Sequence, residues 1–191
     1  WTSCGDDAAR EPETAPTAHE SIDAAIIRAR AALRQIEGAR AAEILDPLLA
    51  KYPTHPALLA VRAAAEATRF EFEAMKARLA EFDTLYPGSP AALYQAGRAL
   101  SESRQYAKSA EMLQAAAARL PSDPQALGEL GLMYVQWGKN DLALEALERA
   151  YALDPFNLRV DNTLQLVREL LTYSELESEH FIVRFKPGVD E

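Results

Sequence analysis

Apolar residues along this chain follow two rhythms at once. Within short segments they return three or four positions apart, as in Ile22, Ile26, Ile27 and Leu33 behind Ser21, Leu113 with Ala116, and Leu147 with Ala150. That spacing lines one face of an α-helix. Between segments the pattern itself recurs at a step of 34 residues: Leu59, Leu93 and Leu127 fall in register, as do Ala63, Gly97 and Gly131, and then Leu79, Leu113 and Leu147. A fixed period of this size marks stacked copies of one helix–turn–helix unit, each burying its apolar face against its neighbours.

The punctuation keeps the same step. Pro53, Pro87, Pro121 and Pro155 stand 34 residues apart and end second helices, while Pro56, Pro90 and Pro124 open first helices, where a missing N–H leaves nothing unbonded. The pattern predicts paired helices at 22–36 with 39–52, 56–68 with 71–86, 90–102 with 106–120, and 124–137 with 140–154. Gly97 and Gly131 let the two helices of a unit cross closely, and Gly138-Lys139-Asn140 turns the chain inside the last unit. Pro47 conflicts with this plan: an interior proline costs about 3 kcal/mol, so a kink or break is expected at Asp46-Pro47, leaving the first pair a degenerate cap.

The organisation follows. Residues 1–20 are polar and Pro-bearing and read as a disordered tail; 21–155 hold the repeats. Residues 156–174 form a capping helix, with Val160, Leu164, Val167 and Leu171 on one stripe to cover the last apolar face. In 175–191 the rhythm changes. Phe181, Val183 and Phe185 alternate within His180–Phe185, which is a strand pattern. No ladder partner for it is legible in the chain, and lone strands are unstable, so the segment reads as the start of a possible truncated second domain. The fold class is all-α, a solenoid of antiparallel helix pairs.

Composition narrows the function. A net charge of −9, from 20 basic and 29 acidic residues, argues against nucleic acid as a partner, which needs clustered Lys and Arg. No apolar run approaches the length of a membrane span. A single cysteine excludes an internal disulfide. The histidines are His19, His55 and His180; His19-Glu20 begins like a zinc-protease motif, but Asp23 stands at the closing position and the match fails. No phosphate-binding loop or nucleophile elbow is present. The reading is no enzyme, no metal and no cofactor.

The last unit, with Leu127, Leu130, Gly131, Tyr134, Ala143, Leu147, Ala150 and Pro155, closely resembles the tetratricopeptide repeat, with Leu127 in place of the usual tryptophan. The resemblance extends over roughly 22–155; Arg62 and Glu66 depart from it, standing where the family places apolar residues. It implies a right-handed superhelix whose first helices line a concave groove that binds a protein or peptide. Stepping 34 residues places Ala64, Tyr94, Gln95, Arg98, Leu132, Val135 and Gln136 on that face, with Leu166 from the capping helix. The paired Lys and Asn residues with which some relatives clamp a terminal carboxylate are missing. Thr2-Ser3-Cys4-Gly5 resembles the start of a mature bacterial lipoprotein, which implies a lipid on Cys4 and a membrane tether in the periplasm or outer membrane; without it the location is cytoplasmic. His180–Phe185, behind an acidic lead-in, resembles the first strand of peptidase-MA-like zinc metallopeptidase domains. That implies a non-catalytic region ahead of an enzyme.

Overall fold

The computed structural model describes residues 21–186 and 188; Cys4 and the rest of the expected tail lie outside them. Ser21 opens α1 (Ile22–Arg34) by accepting a hydrogen bond from the Ala24 amide at 3.1 Å, the N-cap the pattern predicts. Then come α2 (Gly38–Lys51), α3 (Pro56–Thr68), α4 (Phe72–Leu85), α5 (Ala91–Glu102), α6 (Tyr106–Arg119), α7 (Pro124–Gln136), α8 (Asn140–Leu153) and α9 (Leu158–Leu170). Pro56 and Pro124 occupy the first turns of α3 and α7. The chain is an all-α solenoid, and each helix packs on the next, with α9 against α8 at the end. No helix of the described residues is long and apolar enough to cross a membrane.

Each pair reverses through one residue with positive φ: Ile36 at 62°, Phe70 at 61°, Arg104 at 59° and Gly138 at 75°. The next amide then closes back on the carbonyl five residues earlier, Glu37 to Ala32 at 2.9 Å and Lys139 to Tyr134 at 2.9 Å, the left-handed helix stop in which glycine is usual. Beyond the turn the helices meet closely. A Cβ on Gly97 would stand 2.7 Å from Leu113 Cγ, and one on Gly131 2.5 Å from Leu147 Cγ, so both positions exclude any larger residue without movement.

One helix departs from the regular plan. Eleven consecutive residues of α3, Leu58 to Thr68, are buried. Its alanine-rich sequence puts small side chains on every side, so neighbours approach all round. Helix α5 packs most extensively on α3 and only lightly on α4, and α1 reaches over α3 to touch α5. Arg62 and Glu66 are buried with it; Arg62 donates to Glu66 Oε1 at 2.5 Å and from Nε to Asp46 of α2 at 2.7 Å, while among the described residues Glu66 Oε2 has only Arg69, at 3.6 Å. Burial works against the Arg62 charge, yet the bond to Asp46 and the charge of Glu66 hold its pKa above the ordinary value. The two departures from the apolar pattern are therefore one ion pair.

Three expectations need correction. The break expected at Pro47 does not occur, since helix α2 is continuous through it. Pro47 and Glu43, whose carbonyl loses its partner, both lie on the exposed side, where water replaces the lost bond. Ile27 is 66% exposed and belongs to no core. The strand does have a partner: β1 (Ser174–Glu177) pairs antiparallel with β2 (Ile182–Phe185), setting Glu175 opposite Arg184 and Leu176 opposite Val183. Arg184 Nε donates to Glu175 Oε1 at 2.6 Å, and Lys186 reaches Glu169 of α9 at 2.6 Å. The inference from an unpaired strand to a following domain loses its premise.

Candidate binding face

Tyr94, Gln95 and Arg98 share one face of α5, and all three keep partial exposure. The Arg98 guanidinium lies over the Tyr94 ring, 5.8 Å from its centroid, a cation–π geometry that stiffens both side chains. Arg98 stands 3.6 Å from Glu102 and 3.8 Å from Glu129 of α7, and Glu129 accepts from Arg159 of α9 at 3.0 Å. Charge thus runs from α5 through α7 to α9.

The approach of α1 to α5 adds a small open cavity between them, lined by Arg30, Leu33, Arg34, Gln95, Arg98, Ala99 and Glu102. The Nε atoms of Arg30 and Arg98 are buried without a hydrogen-bond acceptor among the described residues. Four guanidinium groups, from Arg30, Arg34, Arg98 and Arg159, face two carboxylates, Glu102 and Glu129. Burial, first of all, raises the Glu102 pKa, with Arg98 opposing and Glu129 adding. Burial also raises the Tyr94 phenol, helped by Glu129, so Tyr94 stays a neutral hydrogen-bonding group.

The other residues expected on this face divide. Leu132 and Val135 are partly exposed and lean on the same C-terminal core as Tyr94. Gln136 is exposed on α7, and Leu166 is 51% exposed on α9. Ala64 is fully buried in the N-terminal core, because α1 and α5 close over α3, and it has no surface to offer. Sequence reasoning passed over Arg30, Arg34, Glu102, Glu129 and Arg159. The first four were within reach of the 34-residue step: Ala64 steps back to Arg30, Gln136 to Glu102 and Arg34, and Gln95 forward to Glu129. Arg159 lies outside these registers.

Comparison with known proteins agrees with the fold. Residues 124–157 match the family model of the tetratricopeptide repeat. A search of curated proteins returns no match. Among solved structures, MamA (41-end) from Desulfovibrio magneticus RS-1 is 22% identical with a TM-score of 0.51, over 77% of this chain and 83% of that one. TTC0263, a thermophilic repeat protein from Thermus thermophilus, is 20% identical with a TM-score of 0.55, over 78% and 81%. The first repeat domain of RPAP3 (Spaghetti), solved bound to the HSP90 peptide SRMEEVD, is 17% identical with a TM-score of 0.50, over 61% and 92%. With the family's sequence pattern in residues 124–157 and the same helical plan in the units before it, the chain has the fold of a tetratricopeptide-repeat-like solenoid.

Proposed function

We propose that this protein is an interaction module whose concave face, along α1, α5, α7 and α9, takes an extended or helical segment of a partner protein bearing acidic side chains. One observation carries the reading: four guanidinium groups face two carboxylates there, and two of the guanidiniums have a buried Nε without an acceptor among the described residues. An arginine fork is suited to a carboxylate, and Tyr and Arg are frequent anchors of interfaces. Leu132, Val135 and Leu166 add apolar surface for alternate side chains of the same segment. The peptide-bound RPAP3 domain supports the reading at the level of the fold: its peptide, SRMEEVD, is acidic.

Selection from a random peptide library against the whole chain tests this. The enriched sequences are expected to be acidic with interspersed apolar residues. Arg98→Glu should weaken them at least about tenfold, the loss of a charge-assisted bond worth roughly 1.5–3 kcal/mol. Selected peptides without acidic residues, or affinities untouched by Arg98→Glu, would refute it.

The proposal extends to location. The Thr2-Ser3-Cys4-Gly5 sequence supports a lipid-anchored protein of a bacterial envelope. Expressed behind a lipoprotein signal, the parent should partition with membranes and Cys4→Ser should be released; a soluble, unmodified parent would overturn the anchor.

A further inference from the structure

The turns inside the helix pairs form one continuous edge. Gly38 sits against Arg69 and the Ala65 carbonyl, Phe70 and Phe72 are 6.3 Å apart, Lys108 lies 4.6 Å over Phe72, and Tyr106 stacks on Trp137 at 6.1 Å. Along it Ile36 is 52% exposed, Phe70 48% and Trp137 38%. Ile36 and Phe70 occupy the left-handed positions where Gly138 serves in the last unit. Glycine holds such a turn with less strain, so the fold itself has no need of bulky apolar groups there.

The charges on this edge are not balanced. Glu37, Glu71 and Glu73 are each taken up by Arg40, Arg69 and Lys76. Arg104, Lys108 and Lys139 are exposed and have no carboxylate within ion-pair distance among the described residues; Lys139 lies 5.8 Å over Trp137. Asp141 and Glu111 are exposed near Lys139 and Lys108 and reduce the excess, but cations still outnumber carboxylates along this edge, in a chain of net charge −9.

We propose that this edge is a peripheral membrane-binding surface, which docks on an anionic bilayer with Ile36, Phe70 and Trp137 in the interfacial layer and Arg104, Lys108 and Lys139 on the lipid headgroups. Charge decides the sign of the partner. The side chains decide its kind: Ile36, Phe70 and Trp137, each exposed at a turn, offer apolar groups that a lipid interface takes up without a preformed groove. Aromatic and aliphatic tips flanked by cations combine apolar insertion with attraction to anionic lipid.

Co-sedimentation of the whole, unlipidated chain with phosphatidylcholine vesicles, with and without phosphatidylserine, tests this. Binding is expected only with phosphatidylserine, and weaker as salt rises. Lys108→Gln and Lys139→Gln should each lower partitioning roughly fivefold. Ile36→Gly with Phe70→Gly should abolish it while raising the melting temperature, which separates lost contact from lost fold. Lys51→Gln, at the far end of α2 from this edge, should bind vesicles as the parent does. Absence of phosphatidylserine-dependent binding would overturn the proposal, as would binding that survives these substitutions. Capture of a hexaglutamate peptide by the same residues, with vesicles left unbound, would also overturn it in favour of an acidic protein.

Discussion

Ile36, Phe70 and Arg104 hold backbone angles that suit glycine, and the β-branched Ile36 is the least suited of the three. A non-glycine residue in the left-handed region costs roughly 1–2 kcal/mol, part of which glycine returns through its freer unfolded chain. Ile36→Gly is therefore expected to stabilise the protein by about 1 kcal/mol, a rise of about 2–4 °C in melting temperature for a chain of this size. A thermal melt at or below the parent's would show that Ile36 packs better than its exposure implies. The sequence marks this turn only at Gly138. Stepping back from Gly138 reaches Arg104, Phe70 and Ile36, residue types that announce no turn, so the strain shows only in the backbone.

At the scale of the element, α3 is the instructive case. Amphipathic reasoning expects a helix to keep a polar face for water, yet α3 has neighbours on every side and buries its charges. Arg62→Met leaves Glu66 buried without its closest partner; Arg69 and Arg78 remain only at 3.6 and 4.0 Å. A loss of about 3–5 kcal/mol is expected in denaturant unfolding. Replacing both, Arg62→Met with Glu66→Leu, should restore most of that stability, since a buried pair rarely outperforms well-packed apolar residues. Equal losses in the single and double variants would mean that the charges hold α2 and α3 in place through Asp46 rather than balancing each other. The hairpin teaches the converse. Ser174–Glu177 is acidic with one apolar residue, and it becomes a strand through cross-strand partners such as Arg184, not through its own alternation.

Across the whole molecule, Glu102 reports the approach of separate helices, with charges from α1, α5, α7 and α9 acting on it. Its folded pKa lies above the ordinary carboxylate value, chiefly through burial. A carboxyl raised in this way favours folding while protonated, and that contribution is lost as pH climbs from the ordinary carboxylate range through the raised value. Glu102→Gln stays neutral, so the parent should lose stability relative to the variant across that window. Melting curves taken along a pH series check this; parallel curves would place Glu102 in contact with solvent.

The solenoid was legible in the sequence because each unit repeats a local rule. Helix periodicity, proline at the openings and ends, and glycine at close crossings all act within about one turn or one unit, and the 34-residue step copies them along the chain. The residues of the proposed binding face were partly legible too: the resemblance together with the 34-residue step puts Tyr94, Gln95 and Arg98 side by side, and they share one face of α5. What sequence could not settle is how far each unit sinks against the next. The small side chains of α3 let α1 and α5 meet above it, which buries Ala64, opens the cavity between Arg30, Arg34 and Arg98, and brings Glu102 under several charges at once. Those outcomes depend on summed side-chain volume across helices distant in the chain. Only the tertiary packing performs that sum.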